Sequence, residues 1–213
     1  MNAPSHGVAA AQRGFSLIVV LLLLAIVMVL GVSAAQLALV NEVAARSDRD
    51  TEIALQAAEA ALVDAERDVL GPNADAAARL CLFDHRDIAA FAAGCGTGRN
   101  LGLCAATAPG ETPAWMAADL SPASAVAVPY GRFTGQSYVA GEDQGAVPAH
   151  PPRYVVEAIR NRGGWEAHRL QGAGAEHATH LFRVTAVGFG VDARTQVMLQ
   201  TTLYKSMASP GCP

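Results

Sequence analysis

Arg13-Gly14-Phe15-Ser16-Leu17-Ile18-Val19-Val20 opens the stretch whose reading decides the fold. From Phe15 to Val40 run 26 residues without a charge, interrupted only by Ser16, Gly31, Ser33 and Gln36, and the first charge is Glu42. At about 1.5 Å per residue, a helix over this run is roughly 39 Å long, against a bilayer hydrocarbon core of about 30 Å. A domain built from the remaining residues cannot cover such a helix on every side. Its surface calls for lipid, for neighbouring helices, or for removal by processing.

The flanks set a topology. Met1–Gly14 carries Arg13 and no acid, whereas the far side begins Asn41-Glu42 and soon reaches Asp48 and Asp50. This bias keeps the N-terminus cytoplasmic and sends the bulk outward. Cys81, Cys95, Cys104 and Cys212 all lie beyond the run, and if it crosses the inner membrane they sit on the oxidising side, where disulfides form. The 213 residues suffice for one domain and an anchor, and the net charge is −4, with Lys205 the single lysine. No basic face interleaved with aromatics occurs, which argues against nucleic acid as a partner.

Three readings fit the run. One is a plain signal anchor. Another is a secretory signal cleaved after Ser33-Ala34-Ala35, although its apolar region exceeds the usual length. The third places processing before the run, at Gly14-Phe15.

Beyond Val40 the helix continues with a different pattern. Ala54, Ala57, Ala58, Ala61 and Ala65, with Leu55, Leu62 and Val69, recur at three- and four-residue spacing. Alanine favours helix and lets another backbone approach closely. By residue type, Glu52, Glu59, Asp64, Glu66, Arg67 and Asp68 take the solvent side. Gly71-Pro72 ends the helix. The expectation is one nearly continuous helix from Phe15 to Leu70, about 84 Å long.

Gly14-Phe15-Ser16-Leu17 after a short leader ending in Arg13 resembles a type IV prepilin processing site. Asn41 to Glu52, leading into Ile53-Ala54-Leu55-Gln56-Ala57-Ala58-Glu59-Ala60-Ala61-Leu62, resembles the N-terminal region of PilX-type minor pilins. The resemblance covers Arg13 to Glu66 and returns near the C-terminus, in Phe182–Gly188 and Val197–Tyr204. It implies cleavage by a prepilin peptidase between Gly14 and Phe15, and methylation of the new N-terminal Phe15. One departure stands out: the family's glutamate at the fifth mature position is Val19 here.

The middle of the chain is loop-rich. A short helix is expected over Ala74–Leu82. Ala92 to Cys104 is glycine-rich, but its spacing matches neither G-x-G-x-x-G nor a P-loop. Pairing Cys95 with Cys104 would pin a surface loop of 10 residues, worth very roughly 2–3 kcal/mol in the chain-entropy model. Cys81 and Cys212 would then pair, although four cysteines allow three connectivities and the sequence does not choose among them. Zinc is the rival, but no C-x-x-C or C-x-x-H pair occurs. Trp115 and Met116 lie among prolines, either packing this loop onto the domain or contacting a partner.

The C-terminal third reads as sheet. Arg153–Ile159, Leu181–Val187 and Thr195–Tyr204 are β-rich, and the last two form an antiparallel hairpin across Gly188–Arg194. Three strands with one apolar face need a cover, which the amphipathic half of the long helix offers. His150, His168, His177 and His180 read as solvated loop residues rather than metal ligands. Ser137 lacks the second glycine of a nucleophile elbow. No enzyme, cofactor or metal site is expected.

The reading is an α+β, type IV pilin-like fold. Residues 1–14 form a leader peptide, 15–40 a transmembrane and filament-core helix, and 41–70 its amphipathic half. Residues 71–152 form a loop-rich variable region and 153–213 an antiparallel sheet, making one head with 41–152. The resemblance implies a minor pilin held in the bacterial inner membrane with a periplasmic head, then extracted into the pilus. It further implies contacts with other minor pilins, the major pilin and a PilY-type tip adhesin, and roles in priming, adhesion and twitching motility. The alternatives are a type II secretion minor pseudopilin, and a secreted disulfide-bonded binding protein with a cleaved signal.

Overall fold

One helix, α1 (Phe15–Leu70), accounts for 56 residues of the chain. It belongs to a computed structural model that describes residues 15–72, 79–138, 146–162 and 178–205. The chain divides into two compact units, Met1–Ser47 and Asp48–Pro213. In the first unit every large apolar side chain from Leu17 to Val43 is at least 40% exposed, as expected of a helix apolar on all faces.

In the second unit α1 is patterned. Ala54, Ala57, Ala58, Ala61, Ala65 and Val69 are fully buried, while Glu52, Gln56, Glu59, Val63 and Glu66 face solvent. The helix ends where Gly71 takes φ +86° and donates its N–H to the Arg67 carbonyl at 2.7 Å. That is a left-handed cap open to glycine without strain.

The sheet is mixed. Strands β1 (Leu103–Ala105), β3 (Arg153–Arg160), β4 (His180–Phe189) and β5 (Gln196–Leu203) lie in that order, with β2 (Val128–Pro129) pairing β3. The pairs β3–β4 and β4–β5 are antiparallel, as the sequence suggested, with Val156 opposite Val184 and Thr185 opposite Gln200. Strand β1 runs parallel to β3, Leu103 opposite Val156. Both β1 and β2 come from the segment read as loop. The expected Ala74–Leu82 helix lies mostly outside the described residues, of which Arg79 and Leu80 are helical.

The sheet has two covered faces rather than one. Successive strand side chains point to opposite sides. Tyr154, Val156, Ala158, Phe182, Val184 and Ala186 pack with Ala61, Ala65 and Val69 of α1 and with Phe83, Phe91 and Phe133. Phe182 contacts Phe83 and Phe91, each with ring centroids 5.7 Å away. On the other side Val155, Val187 and Phe189 meet Cys95, Cys104, Leu120 and Ala127, with Trp115 packed against them. Strands β3 and β4 are therefore buried almost end to end. Only β5, with partly buried residues alternating with exposed ones from Gln196 to Gln200, shows the period of a half-solvated strand.

Candidate functional site

For the processing site, the structure describes Phe15 as the first helical residue of α1; Gly14 lies outside the described residues. Val19, 40% exposed, sits in the early turns among Leu17, Ile18, Val20 and Leu21. Ser33 donates its hydroxyl to the Val29 carbonyl at 2.9 Å, so this polar residue is satisfied within the helix. The stretch is long and apolar enough to cross a membrane.

In the second unit α1 is fastened to the sheet and loops by side-chain clasps. Two of them overturn the sequence reading, because Asp64 and Asp68 are buried, at 1% and 0% exposure, instead of facing solvent. The physical reason is register. Asp64 follows Ala57 by seven residues and Ala61 by three, and Asp68 follows Ala61 by seven and Ala65 by three, which puts both on the inner stripe.

Each buried carboxylate is satisfied. Asp64 accepts the Gly131 N–H at 2.7 Å and the Thr134 hydroxyl. Burial pushes its carboxyl above the usual range, and these two bonds pull it back. Asp68 accepts Arg79 Nη2 at 2.8 Å, Arg79 Nε at 3.1 Å and the Tyr154 hydroxyl at 2.9 Å. Burial, with the nearby Asp68 and Asp64 charges, pushes the Tyr154 phenol well above its ordinary value, so it stays a donor. Arg79 also donates to the Arg99 carbonyl and lies 3.9 Å over the Phe133 ring.

Two further clasps close the ends. Lys205 Nζ donates to the carbonyls of Val69 and Leu80, at 2.8 Å each, placing a cation at the negative end of α1. Asp50 accepts the Val191 N–H at 2.5 Å and the Asp192 N–H at 3.2 Å in the β4–β5 turn. Between these clasps Gly188 makes room. A Cβ there would lie 2.1 Å from the Ala54 carbonyl oxygen and 2.3 Å from the Ala58 nitrogen. The alanine stripe and this glycine together let helix and strand touch backbone to backbone.

On the opposite face of the sheet, Cys95 and Cys104 form a disulfide. Both are buried, so the base of the loop sits in the core rather than on the surface. Cys81 is also disulfide-bonded, and Cys212 lies outside the described residues. Arg153 donates to the carbonyls of Pro122, Ser124 and Ala127, at 2.5, 3.1 and 3.3 Å, and so pins the next segment. Trp115 lies on the one-turn helix α2 (Ala114–Ala117), half-buried, while Met116 is 60% exposed. Glu157 on β3 and Arg183 on β4 form a cross-strand ion pair at 2.5 Å, its carboxylate buried.

Of the described histidines, His150 and His180 lie at opposite ends of β4. His180 begins β4 and is buried, with Nδ1 3.0 Å from the His85 carbonyl oxygen, which corrects its reading as a solvated loop residue. His150 meets the Phe189 ring at 5.8 Å; His168 and His177 lie outside the described residues. Among the described residues no group of three metal-ligating side chains occurs. The sequence reading missed Asp64, Asp68, Arg79 and Lys205 as the residues that hold the head together. Heptad arithmetic against the alanine stripe was the available signal for the two aspartates.

Comparison with known families gives two matches. The family model described as PilX N-terminal matches residues 13–63. The one described as Type IV pilus assembly protein PilX C-term matches residues 100–205. No curated protein and no solved structure matches the chain.

Proposed function

Because the chain belongs to the PilX family of type IV pilus proteins, a minor pilin and structural component that works among other pilins, we propose that it helps prime pilus assembly and occupies the tip. In this reading a prepilin peptidase removes residues 1–14 and Phe15 becomes the methylated N-terminus. The apolar half of α1 holds the subunit in the inner membrane with its head periplasmic, then trades lipid for neighbouring pilin helices. Other minor pilins, the major pilin and a PilY-type adhesin are its partners, and adhesion and twitching depend on it.

Val19 carries the tip placement. In related pilins a glutamate at this position is thought to neutralise the N-terminal ammonium of an adjoining subunit inside an apolar bundle. A buried charge without a partner is costly. A subunit with valine cannot supply that partner, so it suits a position where no such ammonium needs pairing.

The experiment is immunogold labelling of sheared pili from cells carrying an epitope on the head. Label confined to filament ends is the expected result, with Val19→Glu spreading it along the shaft. Label along the shaft in the unaltered protein would overturn the placement. A deletion strain should lose twitching; normal twitching with lost protein secretion would move the subunit to a type II secretion system.

A further inference from the structure

Beside the Cys95–Cys104 disulfide an open cleft of about 570 Å³ lies between three short segments of the head. Gly94 and Cys95 line it on one side, Ala105 to Ala108 from the last residue of β1 onward on another, and Ala114, Ala117 and Ala118 of the α2 turn on a third. Its lining is mostly methyl groups. The ionisable side chains in the lining are Glu111 and Asp119, with no cation among them. Both are exposed.

We propose that this cleft docks a segment of a partner protein that inserts an arginine or lysine, its methylenes on the alanine floor and its cation toward Glu111 and Asp119. Long cationic side chains combine an apolar stem with a charged head in this way. A purely apolar plug would cover Glu111 without giving it a partner, which is unfavourable. Hydrogen bonds from Ser121, whose N–H donates to Asp119 at 2.8 Å, and the nearby Arg153 charge hold the Asp119 carboxyl below its ordinary range. Glu111 has no side-chain partner among the described residues.

The walls are fixed before any partner arrives, as binding clefts usually are. The disulfide ties Cys95 to β1, Ala118 donates its N–H to the Ala114 carbonyl at 2.9 Å, and Trp115 packs against the core behind α2. The glycine-rich loop and the Trp115–Met116 turn thus acquire one joint purpose, as the two banks of a receptor. The proposal does not require the subunit to sit at the tip, so a tip-labelling result leaves it standing or falling on its own test.

The test places a photo-crosslinking amino acid at Ala117 of the full chain in piliated cells and maps the adduct by mass spectrometry. The expected adduct is to another protein, at a residue beside an arginine or lysine. Glu111→Lys should cut the yield at least ~10-fold, as expected for a charge pair turned into a repulsion, and Glu111→Gln should cut it less. Asp192→Asn, an exposed carboxylate elsewhere on the head, should leave it unchanged. Changing the mapped cation to glutamate should restore the Glu111→Lys adduct, a gain that a misfolded head could not give. Adducts remote from any cation, adducts to a second copy of this chain, no adduct, or yields indifferent to Glu111→Lys would each overturn the proposal.

Discussion

The two parts of α1 are made of similar stuff and behave in opposite ways. From Leu17 to Val40 large apolar residues occupy every face, and each is at least 40% exposed. From Ala54 to Val69 the apolar residues are mostly alanine on one stripe, and those of the stripe are 0% exposed. Hydrophobicity alone therefore does not decide what a helix packs against. Side chains too large and too evenly spread to fit one sheet are left for lipid or other helices, whereas a stripe of small residues invites a strand as close as Gly188. Polar content follows the same division. The first part has no ionisable group to satisfy before Glu42, while the second buries Asp64 and Asp68 and supplies every partner they need.

The sharpest way to break this comparison is to spoil the buried pair. Asp68→Ala leaves Arg79 buried without its carboxylate, and losing one partner of such a pair costs about 3–5 kcal/mol. Thermal unfolding of the head should show a large drop in Tm, while membrane association stays as before. A drop in membrane association with an unchanged head would reverse the assignment of the two regions.

Next comes the opposite lesion. Val27→Arg puts a cation in the middle of the apolar run, at about 2.5–3.5 kcal/mol on the insertion scale. Alkaline washing of membranes should release more of this variant, and the melting of its head should not change. Gly188→Ala follows. Its Cβ would clash with the backbone at Ala54 and Ala58, so helix and strand must move apart, at about 1–3 kcal/mol for an overpacked contact. Calorimetry measures the shift, and an unaltered Tm would show that the close approach contributes nothing.

The smallest effect concerns pH. Hydrogen bonds from Thr195, Asp192 and Val191 hold the Asp50 carboxyl below its ordinary 3.8. A carboxyl lowered in the folded state contributes stability that is present above 3.8 and is lost as pH falls through its lower folded value. The protection factors of the Val191 and Asp192 amides, measured against their intrinsic exchange rates, should therefore fall on acidification in that window. Asp50→Asn should already show lower protection at neutral pH and lose this pH dependence of protection.

The long helix, its end at Gly71-Pro72 and the three main strands were legible because local periodicity encodes them. Strands β1 and β2, of three and two residues, were not, since they exist only by pairing with β3 from far along the chain. The second covered face was hidden for the same reason. β3 and β4 read as ordinary strands until Trp115 and Leu120 are brought across them. Asp64 and Asp68 were misread because residue type was weighed above register. Val19 as the fifth residue after Gly14 is a count along the chain, for which no folded contact is needed.

The most direct test of the account is the intact mass of the protein recovered from sheared pili. A species lacking residues 1–14 and carrying one added methyl group, with the apolar half of α1 retained, is the predicted result. A mature protein beginning at Gln36, released free of the filament, would contradict it.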